Sequence, residues 1–254
     1  MKLSELLLQS GNDIPFREAK INIHQPIIKD IGVIGEESFF SGCEMLNFSK
    51  DKLSGEDKNN LKNMTNFDVF MSIMRDKKNT STQKSRINAL LVLNLMFPDY
   101  KILVGKDQIF FTKEDEASDV IHSINRNNFE IFKDILKQMF CLKQGDVEYN
   151  PGNSAMAQRI ADKLNKGRQE VAERKGTNSS GQQKIAVFSR YISILAVGGN
   201  KNKNELLQYT VYQLYDEIER FEAKYNYDIY LQAKLAGAKN LKEVKSWMRD
   251  LYEE

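Results

Sequence analysis

The chain has 254 residues, enough to bury a sizeable core. Its 37 lysines and arginines against 35 aspartates and glutamates leave a net charge of +2, which argues against a dedicated nucleic-acid binder without excluding a local basic patch. The longest apolar run, residues 89–97 with Asn94 inside it, is too short to cross a bilayer. Two cysteines, Cys43 and Cys141, read as a reduced intracellular pair.

Residues 4–9 predict a short helix with Ser4 as N-cap. After the turn-forming "SGND", residues 20–24 ("KINIH") alternate as a half-buried strand does. Pro26 stands where a helix can begin, because its missing N–H is not needed there. The following "PIIKDIGVIGEESFFSGCEML" reads as one or two helices, its continuity weakened by Gly32, Gly35 and Gly42.

Phe67, Phe70, Met71 and Met74 fall on one helix face, and Thr65 with Asp68 forms the signature of a capping box at its start. Residues 82–97 predict a second helix, stopped by Pro98. In "YKILVGKDQIFFT", two apolar runs flank Gly105, Lys106 and Asp107, which predicts a β-hairpin near 101–112. Phe129, Phe132, Leu136 and Phe140 return to helical spacing over 129–142.

Past Gly145 the composition shifts. Residues 153–175 predict a polar helix, and "GTNSSGQQ" at 176–183 has the composition of a flexible linker. Helices are expected at 184–197, 204–235 and 240–252. The fold class is mainly α, a multi-helix protein with a small β-hairpin and strand element in the N-terminal half. Three segments follow: an N-terminal α domain at 1–145, the polar helix and linker at 146–183, and a C-terminal helical module at 184–254.

Residues 209–238 hold six of the ten tyrosines. Beneath them Leu207, Val211, Leu214, Ile218, Phe221 and Tyr225 are spaced alternately four and three apart, a heptad seam on one helix face. Packing against the chain's own domain is the bland reading of this seam. Capture of a partner's helix makes the same six residues a partner-binding face. Asn202 with Glu205 marks the helix start, and Gly237 suits the left-handed position after its end.

Catalytic signatures are scarce. His24 and His122 have no companions that suggest catalysis or metal binding, and the two cysteines lack zinc spacing. No nucleophile elbow, Walker loop or dinucleotide fingerprint occurs. "VGGN" at 197–200 reads as a helix end, and the acidic clusters at 36–37 and 114–116 read as helix starts or solvated loops. The basic residues of 159–175 read as complements to a helix dipole. No catalysis, cofactor or metal is expected.

Two further strings, "IHQPIIKDIGVIGEESFF" (23–40) and "EYNPGNSAMAQRIADKLNKGR" (148–168), occur with "YTVYQLYDEIERFEAKYNYDIYLQAKLAGA" and a closing "SWM". Together they resemble the tail assembly chaperones, or Gp15-like relatives, encoded in tail-gene clusters of tailed phages. The resemblance implies a helical, non-catalytic protein of the host cytoplasm. Its implied partners are the tape measure protein and tail-tube subunits, bound during virion morphogenesis. It supplies no catalytic residues to carry over. A structural virion subunit of baseplate or neck is the alternative, and a nucleic-acid-binding regulator acting through 159–175 is a third reading.

Overall fold

A computed structural model describes residues 2–50, 63–76, 80–113, 122–142, 187–238, 243–244 and 246–248. The fold is mainly helical, with two small antiparallel sheets in the N-terminal half. Two compact units divide the chain: one joins Met1–Cys141 to Val187–Glu254, and the other is Leu142–Ala186. The C-terminal helices therefore share a unit with the N-terminal segment. The polar helix and linker expected at 153–183, the acidic cluster at 114–116 and most of the helix expected at 240–252 lie outside the described residues.

Helix α1 (Glu5–Ser10) ends at Gly11, whose φ of +68° suits a residue without a Cβ. Strands β1 (Ile14–Phe16) and β2 (Ile21–Ile23) pair across a 3₁₀ turn, burying Ile14, Phe16, Ile21 and Ile23. Helix α2 (Ile28–Ile34) does not start at Pro26. Ile27 is its N-cap, and the N–H groups of Ile28 and Lys29 donate to the carbonyls of Tyr209 and Leu207, each at 2.9 Å. Two of the helix's orphan donors thus find partners about 180 residues further along the chain. Gly35, at φ +83°, separates α2 from α3 (Glu36–Leu46), so the segment is two helices.

Helix α4 (Asn66–Arg75) carries the expected capping box: Thr65 Oγ1 accepts from the Asp68 N–H, and Asp68 accepts from the Thr65 N–H. Helix α5 (Thr80–Met96) pairs with α3. The contacts advance together, Glu37 with Lys84 and Gly42 with Asn88 and Val92, so the two helices run parallel. A Cβ on Gly42 would lie 2.4 Å from the Asn88 carbonyl oxygen, so glycine sets how closely the backbones approach.

Strands β3 (Lys101–Val104) and β4 (Gln108–Thr112) form the expected hairpin, and β5 (His122–Asn125) adds a third strand that sequence pattern did not reveal. Helix α6 (Phe129–Met139) follows, buried along Phe129, Phe132, Ile135 and Leu136. The rings of Phe16, Phe132, Phe97 and Phe111 make successive contacts that tie both sheets to α6. Helices α7 (Val187–Gly198), α8 (Lys203–Leu206) and α9 (Val211–Leu235) complete the unit. The ring of Phe188 in α7 contacts those of Phe39, Phe40 and Tyr215, and Phe39 also meets Phe140 edge-on at 4.9 Å. Such ring pairs add roughly 0.5–1.5 kcal/mol each beyond their burial.

Candidate interaction surface

The helix expected over 204–235 is broken. Residues 207–210 form a turn, and Thr210 is extended, with φ −70° and ψ 168°, and bridges Ile27. The Leu207 and Tyr209 carbonyls are engaged by α2, so they are not free to continue a helix ladder. Helix α9 restarts from a capping box of Thr210 and Gln213, while the Gln213 Nε2 donates to the Gln9 carbonyl at 2.6 Å. Ahead of the break, Asn202 caps the short α8 by accepting from the Asn204 N–H.

The six seam residues divide along the helix. Leu207 sits half-buried in the turn, outside α9, and neighbouring Leu206 is the one that is fully enclosed. Val211, Leu214 and Ile218 are buried in the domain's own core. Phe221 is half-buried, its ring lying over the end of α7, where a Cβ on Gly198 would meet it at 2.5 Å. Tyr225, stacked on Phe221 with ring centroids 6.3 Å apart, is 59% exposed. No residue of α9 after Ile218 is buried. At a rise of 1.5 Å per residue, about 25 Å of helix lies beyond that point.

Apolar side chains continue on this outer length. Ile229 is 46% exposed and Leu235 is 88% exposed, with Leu231 also exposed. Ion pairs brace the helix along its course: Arg220 with Asp216 at 3.1 Å and Lys224 with Asp228 at 3.4 Å, both at i,i+4. Lys201 reaches Glu217 at 3.1 Å. Burial works against the Lys201 charge, but Glu217 and Tyr209 outweigh it and hold the ammonium above its ordinary pKa. The helix closes as a Schellman motif: the Ala238 N–H donates to the Ala233 carbonyl and the Gly237 N–H to Lys234, with Gly237 at φ +83°.

The tyrosines off the seam serve mainly as packing. Tyr212 is buried and Tyr215 half-buried, and desolvation pushes both phenols up to about 12. Tyr227 and Tyr230 contact each other on the outer length, with the Lys234 ammonium 5.8 Å from the Tyr230 ring.

The histidines stand apart. His24 pairs with Asp13 at 2.9 Å on the surface, and His122 is buried in β5 with Nδ1 3.3 Å from the Ala19 carbonyl. Cys43 and Cys141 are not joined in a disulfide, and burial raises the Cys43 pKa. Among the described residues no cluster of three histidines, cysteines or carboxylates could hold a metal, and no helix is long and apolar enough to cross a membrane.

Comparison with known proteins places a family match over residues 179–252, to the model described as the YomV second domain, a phage-derived family. The matched segment takes in α7, α8 and all of α9, so the emerging seam lies within it. No curated protein and no solved structure matches the chain.

Proposed function

We propose that this protein is a tail assembly chaperone of a tailed phage, acting without catalysis in the host cytoplasm. In this reading it holds apolar helices of the tape measure protein against the outer length of α9 until tail-tube subunits replace it. The observation that carries the reading is a single helix face that passes from core at Val211, Leu214 and Ile218 to solvent at Tyr225 and Ile229. The phage-derived family match over the same segment supports it.

The energetics suit a reversible holder. Covering Tyr225, Ile229 and Leu235 contributes at most about 1.5–3 kcal/mol per side chain, since Tyr225 and Ile229 are already partly covered. Association costs of about 4–15 kcal/mol offset most of that sum. One such arm therefore holds a client weakly and releases it to a competitor with more surface to offer. A helix laid along another helix's apolar stripe is an established mode of peptide capture.

Coexpression with the tape measure protein of the same phage tests the reading. The tape measure protein is expected to stay soluble with the wild-type chain and to aggregate with a Tyr225→Ser, Ile229→Ser, Leu235→Ser variant that folds normally. Equal aggregation with and without this chain would rule the chaperone reading out. Mass spectrometry of purified virions provides a second check: a chaperone is absent from the particle, whereas a baseplate or neck subunit remains.

A further inference from the structure

The edges of the β3-β4-β5 sheet are finished differently. Register decides which backbone groups face outward. The Gly105 N–H donates to the Gln108 carbonyl at 2.9 Å, and from there hydrogen-bonded pairs recur at every second residue. Leu103 and Lys101 therefore turn their N–H and C=O groups toward β4, while Val104 and Ile102 turn theirs away from the sheet. On the far edge the same alternation points Ser123 and Asn125 outward from β5. One side chain meets both: Asn128 accepts from the Asn125 N–H at 2.8 Å and donates to the Ser123 carbonyl at 2.9 Å. Ile102 and Val104 have no such cap. Among the described residues, their outward N–H and C=O groups make no hydrogen bond.

The side chains leave the same edge unfinished. Ile102 and Val104 share a sheet face with the buried Phe111 and Ile109, their register partners, yet are themselves only half-buried. Leu103, on the other face opposite Phe110, is 46% exposed. Unpaired donors and acceptors beside half-covered aliphatic side chains are a template for one more strand. Charges stand at both ends of that template, Asp99 and Lys101 at its start, Lys106 and Asp107 past its end. All are exposed, and their side chains make no hydrogen bond or ion pair among the described residues.

We propose that this edge pairs with the same edge of a second copy of the chain, antiparallel about Leu103. In that register Ile102 lies opposite Val104 of the second copy, and each such pair exchanges both of its N–H···O=C bonds. Leu103 meets its own counterpart at the close, non-bonded position, where Cα atoms stand about 4.5 Å apart. The apolar faces of both copies fall on one side, so Ile102 and Val104 extend each other's core. Charge selects this occupant and this direction. Antiparallel pairing sets the Asp99–Lys101 end of one copy beside the Lys106–Asp107 end of the other, with Lys101 diagonal to Asp107. A lysine on an edge ordinarily discourages a foreign strand, but here the second copy carries its counter-charge. Two-fold symmetry repeats the contact. So short a strand buries little surface, which makes the pairing weak and concentration-dependent. It does not rest on the assignment of α9.

Disulfide trapping tests it. In a Cys141→Ser background, which leaves only the buried Cys43, Leu103→Cys is expected to form a covalent dimer in a glutathione redox buffer. It should do so roughly tenfold faster than Lys101→Cys, because only position 103 lies opposite itself at disulfide distance. Val104→Pro removes an outward N–H, a change an edge strand tolerates, so it should leave the melt unchanged and suppress trapping at 103. Without added cysteines, sedimentation velocity at rising concentration should show a monomer–dimer equilibrium. Lys101→Glu should weaken that equilibrium, and Lys101→Glu with Asp107→Lys should restore it. Equal trapping at 101 and 103, trapping that survives Val104→Pro, or a monomer at every concentration would overturn the proposal.

Discussion

The Glu36 carboxylate, at the first position of α3, accepts hydrogen bonds from the backbone N–H groups of Phe188 at 3.0 Å and Ser189 at 3.1 Å. One side chain therefore supplies the opening of α7 with the acceptor that a local N-cap residue would ordinarily provide. Glu36→Ala is expected to cost about 1 kcal/mol, by analogy with loss of a helix cap, and to speed amide exchange at Phe188 and Ser189. Glu36→Gln, which keeps an acceptor but loses the charge, should fall between. Exchange rates at those two amides that match wild type would show that the contact carries no stability.

Gly42 sets the spacing of the α3–α5 pair, since a Cβ there would stand 2.4 Å from a backbone oxygen that cannot swing aside. Gly42→Ala is predicted to destabilise by about 1–3 kcal/mol through overpacking, despite alanine's better helix propensity. Urea denaturation gives the sign directly. Gly32, around which a Cβ would find open space, serves as the comparison: Gly32→Ala should stabilise slightly or leave the midpoint unchanged.

Two substitutions on one helix face should behave oppositely. Leu214→Asp places an unpaired charge in the core and is expected to unfold the unit or lower its stability by several kcal/mol. Tyr225→Asp, one seam further out, should leave the thermal midpoint nearly unchanged while weakening client capture. Circular dichroism melts of the two variants make the comparison. A melt for Tyr225→Asp as low as that for Leu214→Asp would mean that the outer length is structural.

At the start of α4, Asp68 gives a pH signature. Burial acts to raise its pKa, but the Thr65 N–H, the Thr65 hydroxyl and Arg126 outweigh that and hold the carboxyl below its ordinary value of 3.8. A depressed folded-state pKa contributes stability that is present above the unfolded value and lost as pH falls through the folded one. Asp68→Asn should therefore be less stable than wild type by about 1 kcal/mol or less at neutral pH, the pair being partly exposed. Well below pH 3.8 the difference should close. Urea midpoints at the two pH values measure it, and a gap that persists in acid would remove the charge from the account.

Much of the local architecture was legible in the residues. Thr65 and Asp68, the Gly105–Lys106–Asp107 turn, the apolar face from Phe129 to Leu136 and the Gly237 terminus each act through neighbours a few residues away. Strand β1 escaped notice because Ile-Pro-Phe is three residues long with a proline at its centre. Strand β5 escaped because His-Ser-Ile-Asn shows no apolar alternation. The start of α2 and the break before α9 depend on each other: donors at Ile28 and Lys29 meet acceptors at Tyr209 and Leu207. No local pattern carries that pairing.

The heptad spacing by itself determined that Val211, Leu214, Ile218, Phe221 and Tyr225 share one side of a helix, because side-chain direction repeats with the turn of the backbone. Whether a given position on that side meets protein or water was decided only by tertiary structure. The inner positions are covered by the domain's own core, while the end of α7 at Gly198 meets Phe221 and no residue of α9 after Ile218 is buried. Periodicity fixes an angle around the helix axis, and burial depends on what stands at each height along it.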